Sequence, residues 1–136
     1  MTHGVLMGVR CFEELEVWQE ARELCKLVRD ITGKGEFARD FGLKDQMRNS
    51  SGSIMDRIAE GFERGGNREF AQFLSIAKGS CGETRSQSYR AFDYRYIEEE
   101  ELKELLDRTS RLCRKLWNLM NHVQGSDLKG IKYRKF

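Results

Sequence analysis

The chain has no proline in its 136 residues, so nothing in it need interrupt a helix by removing an amide donor. Alternation of the strand kind over any useful length is absent, as is an internal repeat, which argues against a sheet or a solenoid. The four cysteines Cys11, Cys25, Cys81 and Cys113 form no C-x-x-C pair, and His3 and His122 are the only histidines. That pattern suggests neither a zinc module nor a disulfide framework, and reduced thiols in a cytoplasm fit best. No run approaches the length of a membrane span, and Val5-Leu6-Met7-Gly8-Val9 is too short for a signal segment. A soluble, cytoplasmic protein with no membrane partner is therefore expected. The 24 Lys and Arg residues against 22 Asp and Glu leave a formal charge of only +2, so global attraction to a polyanion is weak and any such site must come from arrangement.

What the sequence does contain is helical periodicity. Val17, Ala21, Leu24, Val28 and Ile31 recur at steps of four and three, predicting a first helix over about residues 13–31. Thr32-Gly33-Lys34-Gly35 breaks it, and Asp40 is placed to cap a second helix through Met47, Ser51, Ile54, Ile58 and Phe62. Gly65-Gly66 ends that helix. Asn67 is the expected cap of a third, carried by Phe70, Leu74, Ala77, Cys81, Thr84, Ser88 and Ala91, whose second half is lined with small residues. Four acids, Glu98 to Glu101, favour the start of a fourth helix with Leu102, Leu105, Thr109, Leu112, Leu116, Leu119 and Val123 on its seam. Three short loops between helices of similar length predict an all-α, antiparallel up-down-up-down four-helix bundle. Residues 12–124 should form it, between a flexible N-terminus (1–11) and a basic tail (125–136) carrying Lys129, Lys132, Arg134 and Lys135.

Catalysis needs a nucleophile with a base, a carboxylate pair in a pocket or a metal cage, and the chain mostly lacks these, so no enzyme and no cofactor are expected. Cys81 lies on the helical seam and reads as a small core residue. The Gly65-Gly66-Asn67-Arg68 turn lacks P-loop spacing and reads as a plain interhelix turn. Helix three adds Phe73, Ile76 and Ser80 beside its main seam, more apolar surface than one neighbour covers, so these three are the expected oligomer interface. Basic residues fall seven apart in pairs: Arg57 with Arg64, Lys78 with Arg85, Arg108 with Lys115. Each pair shares a face and could track phosphates, although spacing alone favours solvated, ion-paired faces.

The run FEELEVWQEARELCKLVRDIT from Phe12, together with residues 41–87 and 96–105, resembles the four-helix-bundle proteins encoded by intervening sequences in bacterial 23S ribosomal RNA genes. Its most specific pieces are Phe41-Gly42-Leu43 with Gln46, Ser53-Ile54, Ile58-Ala59-Glu60-Gly61, Glu69-Phe70, Phe73-Leu74, Ile76-Ala77, and Gly79-Ser80 with Glu83. The resemblance spans about residues 12–123. Arg57 stands where such proteins usually have Asn, Met55 where Pro is common, and Tyr94-Arg95 where a Leu-Gly-Tyr-Ile turn is common. The resemblance implies a homopentameric bundle, a nucleic-acid-binding role without enzymatic activity, and kinship with accessory proteins of diversity-generating retroelements that bind reverse transcriptases and RNA.

A ring multiplies a weak basic surface, so RNA or DNA can be held by avidity even near neutrality. Arg57, Arg64, Arg68, Lys78 and Arg85, with the tail cations, are the expected phosphate contacts, taken as freer of helical acid partners than Arg108 and Arg111. Gln46, Ser53, Glu60, Ser80 and Glu83 read as hydrogen-bonding links between helices or subunits. The competing expectation is a protein scaffold docking through Phe73 and Ile76 without nucleic acid.

Overall fold

The computed structural model describes residues 8–128, with side chains to residue 125. Four helices account for nearly all of it: α1 (Glu16–Thr32), α2 (Phe41–Arg64), α3 (Asn67–Asp93) and α4 (Glu99–Leu128). Short 3-10 turns at Phe12–Glu14 and Gly35–Arg39 precede α1 and α2. Each helix packs on its two neighbours around the bundle. Cross-helix contacts run in opposite senses along each pair, as an antiparallel arrangement requires: Gln46 meets Arg90 while Ser53 meets Ser80, and Lys34 meets Glu101 while Lys115 meets Glu16. Among the described residues there is no strand, and no helix is long and apolar enough to cross a membrane.

The core is the predicted seam. Ala21, Leu24, Val28, Met47, Ile54, Ile58, Phe70, Leu74, Leu105, Leu112 and Leu116 are all inaccessible or nearly so. Around its middle lie hydroxyls rather than larger apolar groups: Ser51, Thr84, Ser88 and Thr109 are buried, each donating to the carbonyl four residues before it at 2.8–3.1 Å. A buried hydroxyl that finds its own helix's carbonyl avoids the cost of an unmet donor, so small polar residues can sit where helices come closest.

Most helix ends follow the sequence, and three depart from it. Asp40 caps α2 as expected, its Oδ1 accepting from the Leu43 amide at 3.0 Å. The Tyr96 hydroxyl donates to Oδ2 at 2.8 Å, tying the turn before α4 to the start of α2, and the Tyr96 ring stacks on buried Phe37. Asn67 does not cap α3. Gly66 takes the extended cap conformation, Asn67 is already helical, and its side-chain oxygen is buried without a hydrogen-bond partner. A 3-10 turn replaces the first residues expected of α1. At the other end of the chain α4 runs past Gly125 to Leu128, since one glycine costs only about 1 kcal/mol in a helix. The tail cations Lys129, Lys132, Arg134 and Lys135 lie outside the described residues, as do residues 1–7 of the expected flexible N-terminus. Arg10, within that N-terminal stretch, donates its amide to Glu14 at 2.9 Å, and Val9 packs on the core.

Two backbone positions carry strong constraints. A Cβ on Gly61 would stand 2.5 Å from Phe73 Cβ and 3.2 Å from the Phe70 ring. Helices α2 and α3 therefore touch backbone to side-chain root at the motif glycine, and nothing larger fits without parting them. Arg95 holds φ 65°, the one described non-glycine residue in the left-handed region. It stands where the resemblance places the glycine of a Leu-Gly-Tyr-Ile turn, and the left-handed conformation is one that glycine adopts without strain.

Gly61→Ala should destabilise the bundle by about 1–3 kcal/mol in a denaturant titration, because overpacking outweighs alanine's better helix propensity. Arg95→Gly should raise stability by up to about 1 kcal/mol by relieving the left-handed strain, less the flexibility glycine adds to the unfolded chain; an unchanged melting midpoint would show that the turn tolerates Arg95 at no cost.

Candidate nucleic-acid interface

Helix α3 has two accessible edges of different character. On the α2 side, Ile76, Ser80, Glu83, Gln87 and Arg90 follow one another at steps of four and three, which places them on one stripe. Opposite them on α2 lie Gln46, Ser50 and Ser53. Ser80 donates to Ser53 at 3.0 Å, Ser50 shares a 2.7 Å hydrogen bond with Thr84 and donates to Gln87 at 2.7 Å, and Arg90 donates to Gln46 at 3.1 Å. Between the two rows is a polar groove of about 550 Å3. Gln46, Ser53 and Ser80 are thus links between α2 and α3, as the sequence suggests. Glu83 lines the groove but is exposed and makes no hydrogen bond or ion pair among the described residues.

The expected oligomer trio divides. Ser80 is 8% exposed and bonded within its own chain. Phe73 is half-buried against Gly61, with the Arg64 guanidinium 5.1 Å from its ring centre. Only Ile76, 51% exposed, is presented outward. The breadth of apolar surface on helix three is largely answered by the close approach of α2, which spacing along a single helix does not reveal.

The basic residues divide too. Arg64 is not free: Glu60 stands four residues before it and pairs with it at 3.3 Å, and Glu69 pairs at 3.2 Å. Glu60 also meets Arg57 at 3.5 Å, so this acid serves the two cations expected to face solvent alone. Arg68 is exposed and has no ion pair among the described residues. On α4, Arg108 pairs with Glu104 at 3.2 Å as its spacing suggests, but Arg111 reaches across to Glu20 of α1 at 3.6 Å instead of to Asp107. Lys115 bonds Glu16 at 2.8 Å and also Glu20. Those contacts raise the Lys115 pKa and lower that of Glu16, both chiefly through the Lys115–Glu16 hydrogen bond.

Lys78 and Arg85 do something else. Both lean over the α3–α4 seam. Arg85 donates to the Ser110 hydroxyl, and the Lys78 ammonium lies 5.7 Å from the centre of the Trp117 ring. Neither has a carboxylate partner among the described residues, so each is positioned by a neutral group with no opposing charge paired to it. Trp117 is 49% exposed. Exposed Arg114, three residues before Trp117 and four after Ser110, lies on the same side of α4, and exposed Tyr89 follows Arg85 by one turn of α3. The seam is consequently cationic and aromatic. Sequence reading missed Ser110, Arg114 and Trp117; the visible signal was their spacing of four and three on a stripe beside the apolar seam of α4. Among the described residues, buried polar side chains are serines and threonines alone, and no three His, Cys, Asp or Glu side chains are grouped to hold a metal ion.

Residues 13–118 match the model of the 23S rRNA-intervening sequence protein family. The fold is similar to a crystal structure of a protein of unknown function from the S23 ribosomal protein family of Bacteroides thetaiotaomicron VPI-5482. That similarity has a TM-score of 0.71 at 18% identity, over 76% of this chain and 97% of the other. No curated protein matches the chain.

Proposed function

The chain belongs to the 23S rRNA-intervening sequence protein family, and from that premise we propose that it is a non-enzymatic, homopentameric protein that binds RNA or DNA without sequence preference. The observation that carries this reading is the α3–α4 seam, where Lys78, Arg85 and Arg114 lie beside Trp117 and none is neutralised by a carboxylate among the described residues. A phosphate backbone gains from every such cation by releasing its condensed counterions. Trp117 and Tyr89 offer rings on which exposed bases stack, an interaction indifferent to base identity. Arg68, also unpaired, extends the positive surface toward the α2–α3 turn.

The α2–α3 edge supports the other half of the reading. Its groove is polar but nearly neutral, and Ile76 stands out at one end of it, a composition suited to contact with a second copy rather than to phosphate. Copies joined through this edge would leave each α3–α4 seam facing outward, and five such seams bind by avidity although each chain is near neutrality. RNA is the expected partner class, and a reverse transcriptase acting on that RNA is the expected protein partner. The retained alternative, a protein scaffold, would use the same Ile76 edge but would not need the basic seam.

Ile76→Glu should convert the oligomer to smaller species in light scattering while leaving the helical circular dichroism intact, because it places a charge in a desolvated contact; an unchanged mass would move the interface elsewhere. Replacing Lys78, Arg85 and Arg114 together by Gln should leave the mass unchanged and weaken retention on both RNA and DNA. The logarithmic salt slope of binding should fall by roughly 2 to 3, at about 0.7–0.9 per phosphate contact and chain engaged. An unaltered slope would remove the seam from the site, and no retention by the parent protein at low salt would favour the scaffold.

A further inference from the structure

Beneath the cations of the α3–α4 seam lie two thiols. Cys81 on α3 is buried, and its Sγ donates to the Thr109 carbonyl at 3.3 Å. Thr109 is one helical turn before Cys113 on α4, so the Cys113 thiol is presented to the same spot. The two cysteines therefore approach each other across the α3–α4 seam at Thr109. Cys113 is half-buried and Cys81 fully so, which makes the first accessible to a small solute and the second accessible only through it. Two cations bracket the pair: Arg85 is anchored on Ser110, three residues before Cys113, and Lys78 on Trp117, four residues after it.

We propose that Cys81 and Cys113 are a peroxide-responsive pair, in which Cys113 is the reacting thiol and Cys81 the resolving one, closing a reversible disulfide between α3 and α4. The electrostatics agree with the geometry. The hydrogen bond from Cys81 lowers Cys113 to about 7, with Lys78 and Arg85 acting in the same direction against its burial. The same hydrogen bond and burial push Cys81 far up. Elsewhere, desolvation raises the pKa of both Cys11 and Cys25, so Cys113 is the thiol that ionises near neutrality.

The chemistry balances with hydrogen peroxide as oxidant. The Cys113 thiolate attacks one peroxide oxygen, forming an S–O bond as the O–O bond breaks. The hydroxide that leaves takes up the proton Cys113 released to solvent. Cys81 sulfur then attacks the sulfenic sulfur of Cys113, the S–S bond forms, and the departing hydroxide takes the Cys81 proton as water. Two thiols lose two electrons, and one peroxide becomes two waters. A thiol reductant reverses the result.

The test is stoichiometric peroxide added to the reduced full-length protein, followed by intact mass and peptide mapping. The expected product has lost two hydrogens, carries a Cys81–Cys113 cross-link, and regains its mass with dithiothreitol. Iodoacetamide at neutral pH should alkylate Cys113 roughly tenfold faster than Cys11 or Cys25, as its larger thiolate fraction requires. Lys78→Met should slow that alkylation severalfold. In Cys81→Ser, dimedone should trap a sulfenic acid on Cys113, whereas Cys113→Ser should leave Cys81 unmodified; the wild-type peptide map decides the question if either variant fails to fold. First reaction at Cys11 or Cys25, a cross-link only between chains, or oxidation of Cys113 beyond sulfenic acid without the internal disulfide would each overturn the proposal.

Discussion

Helix α3 must lie close to α2 along one side and α4 along the other, and it can do so only because the residues at both contacts are small. Gly61 of α2 admits the root of Phe73. Farther along, Ser50 of α2 meets Thr84 of α3, while Cys81 of α3 meets the Thr109 backbone of α4. Larger side chains would hold the helices at ordinary packing distance and leave these polar contacts unmade. The hydroxyls are admissible because each has an acceptor in its own helix or across the seam, so close approach leaves none of these hydroxyls without a partner.

That closeness also gives the surface its two characters. Positions 76 and 78 are two residues apart on α3, hence separated by about 160° around its axis. The edge beginning at Ile76 borders α2, where Gln46, Ser50 and Ser53 answer it with neutral groups. The edge carrying Lys78 and Arg85 borders α4, where Ser110 and Trp117 hold the cations without neutralising them. A carboxylate at position 110 or 117 would have produced an ion pair and a solvated face of little consequence for binding. The contrast with Arg64 is instructive, since Glu60 and Glu69 enclose it.

The helices, their order and nearly all of the core were legible in the sequence because steps of four and three encode a buried stripe directly. Asp40 was legible for a local reason, since its acceptor role depends on an amide three residues ahead. Asn67 was misread because glycine at 66 can adopt the cap conformation unaided, and the rule that favours asparagine does not weigh the residue before it. The candidate site was legible only in part. Lys78 and Arg85 could be found by their spacing, but whether they were neutralised depended on α4, and Arg111 illustrates the difficulty: its near acid in sequence is Asp107, yet its partner is Glu20 on another helix. Interhelical pairing is set by packing register, which spacing within one helix does not contain. The surroundings of Ser80 and Phe73 escaped the sequence for the same reason, their intrachain neighbours being the α2 residues Ser53 and Gly61.

The proposed polyanion site and the proposed thiol pair share one seam, so the two would be coupled. Lys78 and Arg85 favour a phosphate at the surface and the Cys113 thiolate beneath it through the same positive potential. A bound polyanion adds negative charge near these cations, which disfavours a second negative charge on the sulfur. By linkage, whatever ionises Cys113 must weaken the polyanion by the same factor that the polyanion raises the thiol's pKa. The disulfide removes the thiolate and its opposing charge, leaving the cations to the phosphate alone. On the two proposals taken together, nucleic acid and peroxide would act on this seam in a fixed relation: occupancy would protect the thiol pair, and the oxidised pair would hold nucleic acid at least as well as the ionised one.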